Sequence, residues 1–430
     1  MSRGLARRGP RMRQVASRLL LAAVLLGGCA QLPTQPPAQP SGGGPSAPSS
    51  PPPSASAPLP TRSPENQLPG MPTPGAPISG SGSPATALAV PAATAWGRVA
   101  ATRLPAVVEK GRYFVFANAG TPDGRYLIGS VMREHFLDVS GSPGDAALYE
   151  VATGRIVRMA RLQSPDSRVQ SASSDGRWVV WQEASDSDGF DWRVYAYSLA
   201  DRRVKEVARA TTVDGKAVPS PLNFVWASHG MAVWGQAVGG GVTQGDVSNS
   251  VVREADLATG SITTLATGAG SPALSWPWVA WEDLPKGGTW RTVFSNLETG
   301  WTGSMDATPP VLSIDGASVA FGAADNHSIW LIDDMTRPAE VTQVARGADE
   351  TDYLEWPSLN ERIVAWAQNG QSIVFDRLQH RLVSLPVAYG WASGWAAGPD
   401  LVWAETGPTF AQTGRPDWFV VLDTRTLPGS

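Results

Sequence analysis

From about residue 110 onward, apolar and polar positions repeat in short blocks of strand-like character. The clearest block is an apolar pair followed by an aromatic. It appears as Val179-Val180-Trp181, Ala232-Val233-Trp234, Val279-Ala280-Trp281, Val319-Ala320-Phe321, Val364-Ala365-Trp366 and, with a leucine, Leu401-Val402-Trp403. The aromatics stand 53, 47, 40, 45 and 37 residues apart, and a degenerate copy, Leu127-Ile128-Gly129, precedes Trp181 by 52 residues. Each block sits in the same local order. A strand and a tight turn come before it, often Asp-Gly as at Asp123-Gly124, Asp175-Gly176 and Asp315-Gly316, where both residues tolerate positive φ. A variable loop and a β-branched strand such as Ser328-Ile329-Trp330-Leu331-Ile332 come after it. A second turn, often Thr-Gly, and a last strand such as Ile262-Thr263-Thr264-Leu265 close the unit.

Four strands in about 45 residues make one blade of a β-propeller, and seven copies predict an all-β, seven-bladed ring, with six or eight blades still open. No stretch has convincing helical periodicity, which argues against a helical solenoid. The seventh copy supplies only three strands before the chain ends at Ser430, and an open ring would leave a long unpaired edge. The segment Val99 to Glu109 is therefore predicted to add the outer strand of the last blade against Trp418 to Leu422, with Pro105 at a strand end because it cannot donate to the ladder.

Thr121-Pro122-Asp123-Gly124-Arg125-Tyr126-Leu127 and Ser173-Ser174-Asp175-Gly176-Arg177-Trp178-Val179 resemble the blade signature of TolB-type and WD-repeat-like propellers. Ser185-Asp186-Ser187-Asp188-Gly189-Phe190-Asp191 is similar to the TolB-type second-to-third strand loop. The resemblance covers roughly residues 110 to 430 and implies a wide-mouthed binding propeller, although seven copies exceed the six usual in TolB. The Thr-Gly turns are also similar to those of quinoprotein-type propellers, though the tryptophan that regularly follows them there is mostly missing here.

The first 95 residues differ in kind. Six arginines and no acid precede the apolar stretch Leu19 to Leu26, and Leu26-Gly27-Gly28-Cys29 closes it. This is the order of a secretory signal, too short to span a bilayer as a helix. Small residues before the chain's one cysteine resemble the bacterial lipobox, which implies cleavage before Cys29 and lipidation of its sulfur. Residues 30 to 95 are rich in Pro, Ser, Gly and Ala, and eighteen of the 37 prolines fall between Pro33 and Pro91. Such a segment buries too little apolar surface to offset its ordering entropy and reads as a disordered, semi-flexible stalk with an upper reach on the order of 200 Å. The expected domains are a lipoprotein signal over 1–28, a linker over 29–95 and the propeller over 96–430.

Charge narrows the partners. The chain carries −4, and losing six arginines with the signal leaves about −10. That sign disfavours nucleic acid, which needs clustered cations. Without a cysteine pair the fold relies on its core, to which eighteen tryptophans contribute.

The search for chemistry yields candidates rather than a motif. Two residues after the repeated aromatic stand Glu183, Gln236, Asp283, Gln368 and Glu405, with Ala323 as the gap. Positions i and i+2 share a strand face, so these form a candidate ligand-facing collar; the same placement also serves to tie down loop amides. Trp290, Trp301, Trp391 and Trp395 fall outside the repeat register and are candidates for an aromatic platform. Glu282 and Asp283 are sequence neighbours on opposite strand faces, which suits no acid–base pair. Asp186, Asp188 and Asp191 lack the length and closing glutamate of a calcium loop. The four histidines come from different repeats, and no metal site, nucleophile elbow or phosphate loop is legible.

The variable loops place function on the long-loop face. The expectation is a monomeric, extracytoplasmic, lipid-anchored protein that binds or scaffolds an envelope protein or glycan without catalysis and without a cofactor. The alternative is a hydrolase or lyase acting on envelope polysaccharide.

Overall fold

The computed structural model of the chain describes residues 66–67 and 89–429, apart from 133–142, 166, 185–190, 214–215, 219–223, 240–248, 284–290, 307–311, 324–325, 350, 370, 387–393 and 408–414. Cys29 and most of residues 1–95, the segment read as signal and linker, lie outside the described residues.

Seven antiparallel sheets follow one another along the chain. Their inner strands are Tyr113–Gly120, Arg168–Ser174, Trp226–Ser228, Ala269–Ser275, Leu312–Asp315, Leu354–Leu359 and Trp395–Ala397, for blades one to seven. Blades one to six each run outward through three more consecutive strands. Blade seven takes its outer strand from the other end of the domain. Thr102–Pro105 pairs antiparallel with Trp418–Asp423, Thr102 opposite Val421 and Pro105 opposite Trp418. The predicted closure is thus the observed one, and Pro105 stands where its missing N–H breaks no ladder bond. The fold is a seven-bladed β-propeller.

The repeated aromatic sits on the second strand of blades two to seven and packs across a blade interface. Trp181, Trp234, Trp281, Phe321 and Trp366 are at most 3% exposed. Trp281 joins a cluster with Val233 and Val252 of blade three. At the closure, Leu104 packs with Phe419, Val421, Val402 and Phe114, so one apolar cluster spans blades seven and one. The Tyr149 hydroxyl donates to the Pro105 carbonyl at 2.9 Å, and burial pushes that phenol up to about 12.

The N-terminal approach is also fixed. Val90–Pro91 adds a parallel strand to the outer edge of blade six, and the short helix Ala92–Ala95 follows. Trp96, 3% exposed, donates from Nε1 to Asp376 at 2.9 Å, and the buried Arg362 guanidinium completes that site from Nη2 at 2.9 Å. Residues 89–95, read as linker from their composition, therefore pack on the propeller. Asn66–Gln67 likewise lies parallel to the outer strand of blade four.

Because neighbouring strands alternate in direction, the inner-to-second and third-to-outer turns share one face of the ring. The second-to-third loops and the connections between blades share the other, and the residues outside the description between 133 and 414 belong to those long segments.

Candidate functional site

A cavity of about 930 Å³ lies on the propeller axis. Its lining comes from all seven inner strands and from the short turns that end them, so it opens on the short-turn face. Small side chains make the space: Ala117, Ala119, Ala172, Ser173, Ala227, Ser275, Ser313, Ala396 and Gly398 all line it. The serines also stitch the wall together. Ser171, Ser228, Ser275, Ser313 and Ser358 each accept, at Oγ, a backbone N–H from the next blade, at 2.8 to 3.2 Å. A larger residue would lose this bond and narrow the channel. The signal was present in the sequence as a serine in each inner strand of blades two to six.

The channel is pinched by aromatics. Phe224, just before the inner strand of blade three, meets Trp356 of blade six with ring centroids 6.0 Å apart at 68°. Trp356 sits where the pairing of Leu354–Leu359 with Ile363–Gln368 shifts register, at φ 55. A bulky residue in that region costs about 1–3 kcal/mol. The bulge aims the indole at a residue three blades away and still leaves it 40% exposed. Asn118 at φ 56 and Ser271 at φ 46 mark bulges on the inner strands of blades one and four. Sequence reading missed Phe224 and Trp356. Pro357, which cannot donate to a ladder, was the one available hint of a bulge.

The mouth is polar. Asp123 Oδ1 accepts from Thr121 Oγ1 at 2.6 Å and from the Arg125 amide at 3.0 Å. His229 and Trp276 stack between the turns of blades three and four, 5.0 Å apart at 13°. Asp400, 4% exposed, has its carboxyl pushed up to about 7 by burial, with Asp423 and Asp123 adding to the effect and Arg425 opposing it.

The collar residues take equivalent strand positions in blades two, three, four, six and seven, and each is engaged by the protein itself. Glu183, 1% exposed, accepts the Gln163 amide, and burial holds its carboxyl above the usual range. Gln236 donates to Thr211 Oγ1 at 3.1 Å. Asp283 accepts the Arg291 guanidinium at 2.8 and 2.9 Å. Gln368 donates to Asp352 at 2.8 Å. Glu405 is ion-paired with Arg103 of the closing strand. These bonds fix blade connections and strand ends, and the residues stand one to a blade rather than together. Glu282, next to Asp283, has its carboxyl pushed up to about 7 by burial, with the Ser271 hydroxyl acting against it.

Of the four tryptophans, Trp301 is half-buried against Trp278, with centroids 5.5 Å apart, and Trp395 lines the axial cavity. Trp290 and Trp391 lie outside the described residues. So do Asp186 and Asp188, while Asp191 pairs with Arg193 at 3.6 Å. Among the described residues no group of three or more His, Cys, Asp or Glu side chains could hold a metal ion, and no helix is long and apolar enough to cross a membrane.

No known family model matches the chain, and no curated protein matches it. Solved structures do. TolB from Acinetobacter baumannii is 12% identical over 66% of this chain and 57% of its own, with a TM-score of 0.33. A prolyl endopeptidase is 13% identical over 76% of this chain and 48% of its own, with a TM-score of 0.48. The β-propeller domain of the Trilobed protease from Pyrococcus furiosus is 10% identical over 62% and 81%, with a TM-score of 0.42. The chain thus spans little more than half of TolB and about half of the endopeptidase. Its blade signatures resemble those of TolB-type propellers, and its own strand topology makes it a seven-bladed β-propeller.

Proposed function

We propose that this protein is a lipid-anchored, extracytoplasmic propeller that binds an envelope protein or glycan without catalysis, and that the axial cavity is its binding surface. The observation that carries this reading is the cavity itself. It is about 930 Å³, within the size of ligand sites, and its wall is built from small residues held in register by the serine bonds. The collar side chains, by contrast, are spent on internal bonds. This reading puts the surface at the short-turn mouth; most of the long-loop face that the loop lengths suggested lies outside the described residues.

The arginine-rich head and Leu26-Gly27-Gly28-Cys29 support the anchor. Cys29→Ser is expected to abolish labelling by a fatty-acid analogue; unchanged labelling would sink the lipoprotein reading. For the surface, a photo-crosslinking residue is placed in the full-length anchored protein in cells, either at Ser173 in the cavity wall or at Ile262 on the exposed outer strand of blade three. A discrete adduct from position 173 and none from 262 is expected. The reverse pattern would move the site to the rim.

A further inference from the structure

The outer edges of the blades fall into two groups. In blades one, two, three and five the pairing of the third strand with the outermost one slips by one residue. The extra residue stands on the outer strand: Met159, Val207, Leu265 and Val344. Such a bulge twists an edge away from further strands, one of the ways natural sheets avoid adding them. In blades four and six the same pairing runs without a slip. Among the described residues, these are the two edges that carry an added strand. Val90–Pro91 lies parallel to Arg381–Ser384 of blade six, Val90 opposite Val383 and Pro91 opposite Ser384. Asn66–Gln67 lies parallel to Thr302–Met305 of blade four, Asn66 opposite Gly303 and Gln67 opposite Ser304. Blade seven also pairs without a slip, but its outer strand Thr102–Pro105 carries a charge at Arg103 and a residue without an N–H at Pro105.

Blade four is the least guarded. Its outer strand reads Thr-Gly-Ser-Met, with no bulge, no charge and no proline. The outer strands of blades one, two, five and six all carry charged residues. That of blade three, Ile262–Thr267, is uncharged but has its bulge at Leu265. An edge without such guards is a template for another strand. Its backbone groups do the pairing, so it asks for an extended segment rather than for a particular side chain. The stalk supplies one. Pro64 and Pro69 flank Asn66–Gln67 and favour extended backbone, while the two paired residues keep their N–H donors.

We propose that Thr302–Met305 is a peptide-binding edge whose ligand is this chain's own stalk around Asn66–Gln67, seated from the same copy and closing the edge to foreign strands. Residues 68–89 join Gln67 to the strand on blade six. At ~3.3 Å per residue they reach on the order of 70 Å, more than the diameter of about 50 Å expected for a domain of this size. A tether of that length holds the segment at an effective concentration on the order of 1 mM, above that of a second copy in dilute solution. The free stalk then ends near residue 65, and its upper reach falls to on the order of 100 Å. The edge lies on the rim, apart from the axial cavity.

Cysteine pairs test the contact in the full-length protein, whose one native cysteine is Cys29. Under mild oxidation, Gln67→Cys with Ser304→Cys should form a link within one copy, mapped by mass spectrometry. Its yield should be at least tenfold that of Gln67→Cys with Thr263→Cys, which sits on the guarded edge of blade three. A second measurement needs no cysteine. Replacing residues 62–68 by glycine and serine should raise amide exchange across Thr302–Met305 at least fivefold and leave Ile262–Thr267 unchanged. Should a cysteine at the buried position 304 unfold the blade, the exchange result decides. A link between two copies, equal yields from the two pairs, no link in a folded protein, or unchanged exchange would overturn the proposal.

Discussion

The blade interfaces and the wall of the axial cavity are built from the same strands by opposite means. At the interfaces the chain repeats its largest side chains: Trp181, Trp234, Trp281 and Trp366, each almost wholly buried. Along the axis it repeats its smallest, Ala172, Ser173, Ala227, Ser275, Ser313 and Ala396. One pattern buries apolar area and sets stability; the other keeps space open and spends its polar atoms on stitching neighbours together. The difference teaches where to look for function in a repeat protein. Regular positions carry the fold, and exceptions along the axis carry chemistry. Trp356 is large where its counterparts are small.

The largest effect should come from opening the ring. Removing residues 30–110 deletes Trp96, Leu104 and the strand that closes blade seven. Truncations of a buried tryptophan and a buried leucine each cost several kcal/mol, so the loss should be on the order of 5–10 kcal/mol, as large as a typical domain's stability. Removing only 30–88 should leave the melting temperature nearly unchanged. Equal melting of the two truncations would mean that the closing strand adds nothing.

Next is an interface aromatic. Trp281→Ala should cost about 3–5 kcal/mol, read as a shift of the denaturant midpoint. A loss below ~1 kcal/mol would show that interfaces and wall are not energetically distinct.

A smaller effect is predicted at Asp400. Its carboxyl is pushed up to about 7 in the folded protein. The native state therefore binds the proton more tightly than the unfolded chain, whose aspartate titrates near ~4. Stability from this group is complete below that value, falls as pH rises towards 7, and stays low above it. Asp400→Asn should flatten that decline and stabilise the protein at pH 8 by at most a few kcal/mol. A variant with the same pH–stability curve as the parent would contradict the assignment.

The smallest change belongs to the channel waist. Trp356→Gly relieves a strained backbone at φ 55 and gives up an aromatic pair, two terms of about 1 kcal/mol with opposite sign. Melting should move little, and a loss like that of Trp281→Ala would make Trp356 a core residue rather than an exception.

How far the sequence reads follows from the same division. The aromatic triplets and Asp-Gly turns encode blades through local periodicity, and counting three strands in the last copy demands a fourth, which is why the role of Thr102–Pro105 was legible. The fate of the collar was not. Glu183 meets the Gln163 amide, and Glu405 meets Arg103 some 300 residues away, contacts that no strand period encodes. Trp356 was hidden because a bulge, not a register, points it at Phe224.

The most direct test of the account is to fill the cavity without touching an interface aromatic. Ser173 lines the wall, and among the described residues its hydroxyl makes one hydrogen bond, to the Ala227 carbonyl, long at 3.5 Å. Full-length, anchored protein carrying Ser173→Trp should melt like the parent and fail to capture the partner that cross-links to the parent cavity in cells. Undiminished capture by a folded Ser173→Trp protein would contradict the claim that the axial cavity is the binding surface.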